Sequence, residues 1–158
     1  MQFIHLGVHS EFSVTDSIIR LGDLVKAAAQ DHMPALALTD LSNLYAAVKF
    51  YRACLAKGIK PILGSEIRLN DEAGRATLLA MDQIGWRQLT ELVSLGFTEG
   101  LKLGIPCVAR DWVFNQSDGL IVLLGAHSDV GQALCSAAPD RALPILQEWQ
   151  QRFGDRVY

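Results

Sequence analysis

Four side chains in the first half of the chain could share one piece of chemistry. His9, Asp16 and Asp40 follow short apolar runs that read as strands, and Glu66 sits late in another, just past Gly64. In parallel α/β folds the reactive groups gather at the C-terminal ends of strands. One imidazole and three carboxylates placed there are a donor set for a hydrolytic metal site. The competing reading is structural. Asp16 and Asp40 also precede helical patterns, where a carboxylate caps free N–H groups. Spacing alone leaves both readings open.

Other chemistry-bearing patterns are missing. There is no G-x-G-x-x-G, no phosphate-cradling P-loop and no G-x-S-x-G. Asp71-Glu72 and Asp140-Arg141 read as solvated turn charges. His32, beside Met33-Pro34, reads as a helix C-terminal residue favoured by the helix dipole. Trp86, Trp112 and Trp149 fall at helical positions and are expected to pack in the core or at an interface.

The elements that must position these groups follow from hydrophobic periodicity. Phe3 to Val8 is a first strand. Leu21, Leu24, Val25 and Ala28 share one helical face, which predicts a helix over about 18–32 with Asp16 and Ser17 as caps. Pro34 to Thr39 is a short buried strand. Ser42 opens a second helix carrying Leu44, Ala47, Val48, Tyr51 and Leu55, closed by Gly58. Lys60–Leu69 and Thr77–Met81 are strands, and the turn residues Asn70 to Gly74 between them suggest a hairpin. A helix over 83–97 turns Leu89, Leu92, Val93 and Trp86 inward. Gly119–Leu124 is a fully apolar strand. Helices are expected over 129–137 and 140–153, with Pro144 tolerated only near a helix start. Asp155–Tyr158 looks like the opening of a further strand. This βα alternation predicts an α/β domain with a largely parallel sheet or barrel. Because a helix leads into a strand at the last residue, the chain reads as the N-terminal piece of something longer.

Composition narrows the classes. At 158 residues, half of them hydrophobic and a fifth charged, the chain is one globular domain rather than a disordered one. A net charge of −3 argues against a domain that is basic overall and binds nucleic acid by its whole surface. No apolar stretch reaches the roughly 20 residues of a membrane span, and no signal-peptide pattern is present. Cys54, Cys107 and Cys135 are odd in number and far apart, which reads as reduced, mostly buried thiols in a cytoplasmic protein.

The series His5-Leu-Gly-Val-His9-Ser10-Glu-Phe-Ser13-Val-Thr-Asp16 resembles the first motif of the PHP (polymerase and histidinol phosphatase) domain, in the version that opens the alpha subunits of bacterial DNA polymerase III. The likeness continues through Met33–Asp40, Val48–Tyr51 and Gly58–Glu66. It extends more loosely through Gly85-Trp86 and Gly119–Leu123, so it covers essentially the whole chain. The resemblance implies a distorted seven-stranded βα barrel, of which residues 1–158 would be the N-terminal fragment, a little over half. Active members of the family hold up to three metal ions and hydrolyse phosphoesters.

Departures from the family pattern shape the functional expectation. The family's H-x-H falls on Gly7 and His9, and its T-D-H falls on Thr39-Asp40-Leu41. A further histidine falls on Arg75, and a later ligand falls near Ala126, beside His127. Retained are His9, Asp16, Asp40 and Glu66. Three lost imidazoles should abolish tight Zn²⁺ or Mn²⁺ binding, so no metal or other cofactor is expected and no residue is assigned a catalytic role. Arg75 or a protonated His9 is expected to neutralise the converging carboxylates.

The resemblance thus implies a non-catalytic structural and docking module of a replicative polymerase. Its partners would be the remaining polymerase domains and the proofreading exonuclease subunit of the polymerase III core, with DNA contacted only through the parent chain. The rival readings are a metal-dependent phosphoesterase (a 3′–5′ exonuclease or a pyrophosphatase) and a free-standing binding domain that ends at Tyr158. Half a barrel exposes a sheet edge and apolar surface, so the isolated fragment is expected to self-associate.

Overall fold

A computed structural model describes residues 3–70, 74–136 and 139–158. Six helices and six strands alternate along it. They are α1 (Leu21–Gln30), β1 (Ala35–Leu38), α2 (Ala47–Ala56), β2 (Lys60–Arg68), β3 (Arg75–Ala80), α3 (Gln83–Thr98), β4 (Leu101–Lys102), β5 (Ile105–Pro106), α4 (Arg110–Asn115), β6 (Leu120–Leu123), α5 (Asp129–Cys135) and α6 (Ala142–Phe153). A single 3₁₀ turn, Pro139–Arg141, leads into α6, and Pro144 lies in the first turn of that helix, where its missing N–H costs nothing.

The main sheet has the order β1-β2-β3-β6. β1 and β2 are parallel, whereas β2–β3 and β3–β6 are antiparallel. The expected largely parallel sheet therefore needs correction at one strand. β3 runs against its neighbours because the chain doubles straight back after β2, as the turn residues at 70–74 suggested; Asp71 and Glu72 themselves lie outside the described residues. The first expected strand forms no regular ladder. Residues 5–8 nevertheless run beside β1, where the amides of Ala37 and Thr39 donate to the carbonyls of His5 and Val8 at 3.0 and 2.8 Å. At the opposite edge Val157 bridges Val122 in parallel, the strand opening expected over 155–158.

Helix faces follow their buried stripes. α1 buries Leu21, Val25 and Ala28, and α3 buries Leu89 and Leu92 with Val93 and Trp86 packed beside them. On α2 three of the apolar residues that mark its helical pattern do not face the core. Ala47, Phe50 and Cys54 point inward, and Val48, Tyr51 and Leu55 are exposed. Both stripes are apolar at helical spacing, and the one carrying the large Phe50 ring is buried against Leu36 and Leu38 of β1. Burial pushes the Cys54 thiol up to about 11, so it stays protonated. Gly58 closes α2 with φ +70° as its sequence position suggested.

A second core lies further along the same, helix-covered face of the sheet. Ile67, Leu78, Leu120 and Val122 face α3 and α6 there, with Trp149 fully buried. α3 can approach the β6 entry because Gly85 has no side chain; a Cβ there would overlap the Gly119 carbonyl oxygen. Asp82 caps this helix by accepting from the Gly85 amide at 2.9 Å.

The three C-terminal helices are tied by one buried carboxyl. Asp129 accepts from Trp149 Nε1 at 3.0 Å and pairs with Arg110 Nη2 at 3.2 Å, joining α5 to α6 and α4. Asp129→Ala leaves a buried indole N–H and a guanidinium short of an acceptor. It is expected to cost about 2 kcal/mol. Urea denaturation measures this, and a cost within experimental error of zero would mean the tie carries no stability.

Candidate functional site

The loop between residues 8 and 20 delivers His9 and Asp16 to the mouth of the sheet. β2 delivers Glu66, and β3 begins with Arg75 directly across the hairpin, where Arg68 and Arg75 are paired. These side chains meet. His9 Nε2 lies 3.0 Å from Glu66 Oε2, and His9 Nδ1 lies 3.9 Å from Asp16 Oδ2. Arg75 Nη1 donates to Asp16 Oδ2 at 2.9 Å and to Glu66 Oε2 at 3.3 Å. The ligand atoms of His9, Asp16 and Glu66 lie within 4.8 Å of one another. A cleft of about 560 Å³ opens beside them, with His5, Gly7, Thr39 and Thr77 in its wall.

Asp40 is not part of this convergence, which corrects the expected set of four. It is buried and faces the other way, into the 8–20 loop. It accepts from the Ser10 amide at 2.7 Å, from Ser10 Oγ at 2.8 Å and from Ser13 Oγ at 2.7 Å. Ser13 Oγ in turn accepts from the Leu41 amide at 2.9 Å. Asp40 thus holds the loop that carries His9 and Asp16. Neither Asp40 nor Asp16 caps a helix, because α2 starts only at Ala47 and α1 at Leu21. Glu11 supplies what Asp16 and Ser17 were expected to: its Oε2 accepts from the Leu21 amide at 2.7 Å.

The remaining sequence-identified positions fall around the cleft. Gly7 lines it, and a Cβ there would meet nothing within 4 Å. Leu41 is buried and bridges Glu66 through the backbone. Ala126 is exposed in the loop after β6, and the neighbouring His127 carbonyl accepts from the Arg75 amide at 2.8 Å. Among the described residues the imidazole of His127 is not in the ligand cluster. Ser10, Ser13 and Glu11 were missed as positioning residues. Their only signal was polar side chains at i and i+3 directly after a strand.

Electrostatics follow the geometry. The hydrogen bond to Glu66 holds the His9 imidazole above its ordinary value against partial desolvation, helped by the nearby charges of Glu66 and Asp16. Desolvation pushes the Glu66 and Asp16 carboxyls up. For Glu66 the His9 hydrogen bond and charge, with Arg75, outweigh it; for Asp16 the hydrogen bonds from Arg75 and Thr15 do. Both carboxyls end below their ordinary range. The two oxygens that would grip an ion, Asp16 Oδ2 and Glu66 Oε2, are the two that accept from Arg75. An ion at the usual roughly 2.0–2.6 Å from both would have to displace the guanidinium.

These shifts set a pH window. Asp16 and Glu66 titrate below their ordinary 3.8 and 4.5 when folded, so their contribution is present above those values and is lost as pH falls through the lowered ones. His9 titrates above 6.5 when folded, so its contribution is present below 6.5 and lost as pH rises through the raised value. The cluster therefore stabilises most between 4.5 and 6.5. The urea midpoint difference between the parent and His9→Gln is expected to peak in that window and to shrink by about pH 9. A difference that does not vary with pH would refute the coupling.

Comparison with known proteins gives the chain its family. Two relatives are DNA polymerase III alpha subunits. That of Pseudomonas aeruginosa is 43% identical over 164 residues, covering all of this chain and 14% of the relative. That of Pseudomonas fluorescens is 39% identical over 162 residues, covering 99% of this chain and 14% of the relative. The chain thus spans about a seventh of the length of the relatives it matches. A solved structure described as a metal-dependent phosphoesterase of Bifidobacterium adolescentis aligns with a TM-score of 0.43 and 17% identity, over 89% of this chain and 53% of the other. The model of the PHP domain matches residues 5–158, and on that match the chain belongs to the PHP domain family.

Proposed function

We propose that this chain is the PHP module of a replicative DNA polymerase III alpha subunit, and that it works by shape rather than by reaction. The rest of a seven-stranded barrel and the polymerase domains would be supplied by residues outside it. The open apolar wall formed by Leu79, Ile121, Leu123 and Tyr158 is a surface such residues could cover. In this reading the module supports the polymerase core in the cytoplasm and seats the proofreading exonuclease subunit. It takes no cofactor and carries no catalytic residue. No helix among the described residues is long and apolar enough to cross a membrane.

The observation that carries the reading is the position of the Arg75 guanidinium. It donates to both Asp16 and Glu66, in a site where the family's other histidine positions hold Gly7 and Leu41. A guanidinium cannot lose its proton at working pH and pairs readily with carboxylates, so it supplies the positive charge a metal would. The donor set left for an ion is one imidazole and two already occupied carboxylates, and that does not fit a multi-metal hydrolytic centre.

The second reading, a metal-dependent phosphoesterase, is favoured by the close approach of His9, Asp16 and Glu66. Calorimetric titration of Zn²⁺, Mn²⁺ and Mg²⁺ separates the two. No stoichiometric uptake is expected at micromolar concentrations. Stoichiometric binding tighter than about 1 μM, near −8 kcal/mol, would overturn the proposal in favour of the phosphoesterase.

A further inference from the structure

The outer face of α2 carries a surface that the metal question does not touch. Val48, Tyr51 and Leu55 recur at i, i+3 and i+7 on a side about 100° round the helix from the buried stripe, and Tyr45 precedes them. Their exposures are 67% for Tyr45, 64% for Val48, 47% for Tyr51 and 55% for Leu55, so all four are exposed. At 100° per residue the three helical positions fall within a sector of about 60°, with Arg52 and Lys49 along one flank. Exposed apolar groups aligned on one helix face, unlike scattered ones, mark a place where another surface packs.

Charge decides what that surface is. From Leu41 to Ser65 the chain holds Lys49, Arg52, Lys57 and Lys60 and no acidic residue, although the protein as a whole is net negative. A second copy docking through α2 would set these basic residues against themselves. Nucleic acid would use the tyrosines as stacking planes, but Val48 and Leu55, interleaved with them on the same stripe, offer no such plane. An apolar ridge with a basic border suits a helix whose own apolar stripe is bordered by glutamate or aspartate.

We propose that the α2 face, Tyr45-Val48-Tyr51-Leu55 with Arg52, docks an acidic amphipathic helical segment of a partner protein. This deepens the docking role proposed above, on which it rests, by naming the chemistry of the segment that docks.

The test uses the intact chain and a fluorescent peptide of about 18 residues, long enough to hold a helix, with leucines on one face and glutamates beside them. Two controls are the same peptide with lysine in place of glutamate, and an oligothymidine. Fluorescence anisotropy is expected to show the acidic peptide binding at least tenfold more tightly than the basic one. Val48→Glu with Leu55→Glu should weaken it a further tenfold or more, with the denaturation midpoint unchanged. Equal affinity for both peptides, or binding indifferent to the double substitution, would overturn the proposal. Oligothymidine bound more tightly than the acidic peptide, and released by Tyr51→Ser, would give the face to nucleic acid instead. Capture of the proofreading subunit equally by parent and double variant would remove α2 as its seat while leaving the docking role standing. Capture by neither would remove the docking role.

Discussion

A triple variant, Gly7→His with Leu41→His and Arg75→His, is expected to bind Zn²⁺ in the micromolar range or below, where the parent protein takes up none. The three positions are those at which the resemblance to the family places histidine. The structure supports the exchange at each. Gly7 lines the cleft with open space where a Cβ would sit. Leu41 is bridged to Glu66 through the backbone, so a side chain there starts beside the existing ligand cluster. Removing the Arg75 guanidinium frees Asp16 Oδ2 and Glu66 Oε2 together. The variant would then offer four imidazoles and two carboxylates, enough for a closed tetrahedral zinc shell. Binding at 1 μM corresponds to about −8 kcal/mol, so the change is read directly by calorimetry. Arg75→Leu is the control. It removes the cation without adding a donor, so it should let the Asp16 and Glu66 carboxyls rise and gain no ion. Parent protein binding zinc as tightly as the triple variant would end the idea that Arg75 stands in for a metal.

Asp40→Ala is the substitution expected to cost most stability, about 3–5 kcal/mol. It deletes the acceptor for one amide and two hydroxyls, from Ser10 and Ser13, all nearly or fully buried. Each buried donor left without a partner costs about 1–3 kcal/mol, and the three losses are not strictly additive because Ser10 and Ser13 share the one carboxyl. Against a total of about 5–15 kcal/mol for an ordinary domain, the variant would be marginal. Asp40→Asn keeps one acceptor oxygen and should recover part of the loss. Asp16→Ala, by contrast, removes a half-exposed partner of Arg75 and should cost no more than about 1 kcal/mol. Chemical denaturation of the three variants measures the ordering. Asp40→Ala costing no more than Asp16→Ala would show that the 8–20 loop is held by something other than Asp40.

The contrast between these two aspartates shows where reading from sequence stops. Both follow strands and both precede helices, so position alone gave them the same two candidate roles. What separates them is which donors the folded chain brings. Ser10 and Ser13 reach Asp40 from 30 and 27 residues away, and Arg75 reaches Asp16 from 59 away. No local pattern encodes such meetings. The β2–β3 hairpin was legible because its signal is local: two apolar runs separated by turn residues. The inward face of α2 was not, because Val48, Tyr51 and Leu55 form as good an apolar stripe as Ala47, Phe50 and Cys54. Over residues 98–118 no element was delimited, although Trp112 was read at a helical position, and the reason is different. β4, β5 and the six-residue α4 are each shorter than the window over which periodicity can be seen.

The reversed direction of β3 bears on how the polypeptide acquires its shape during synthesis. Ribosomes release the chain from its N-terminus, and contacts between near neighbours in sequence form soonest. A parallel partner following β2 would require a long crossover to be translated first. An antiparallel one is complete once the next dozen residues emerge. The Gly64–Arg68 stretch can therefore close against Arg75–Leu79 while everything beyond α3 is still being made. Pulse-labelled hydrogen exchange on stalled nascent chains should find the amides of that pair protected in chains that end soon after β3, ahead of those joining β3 to β6.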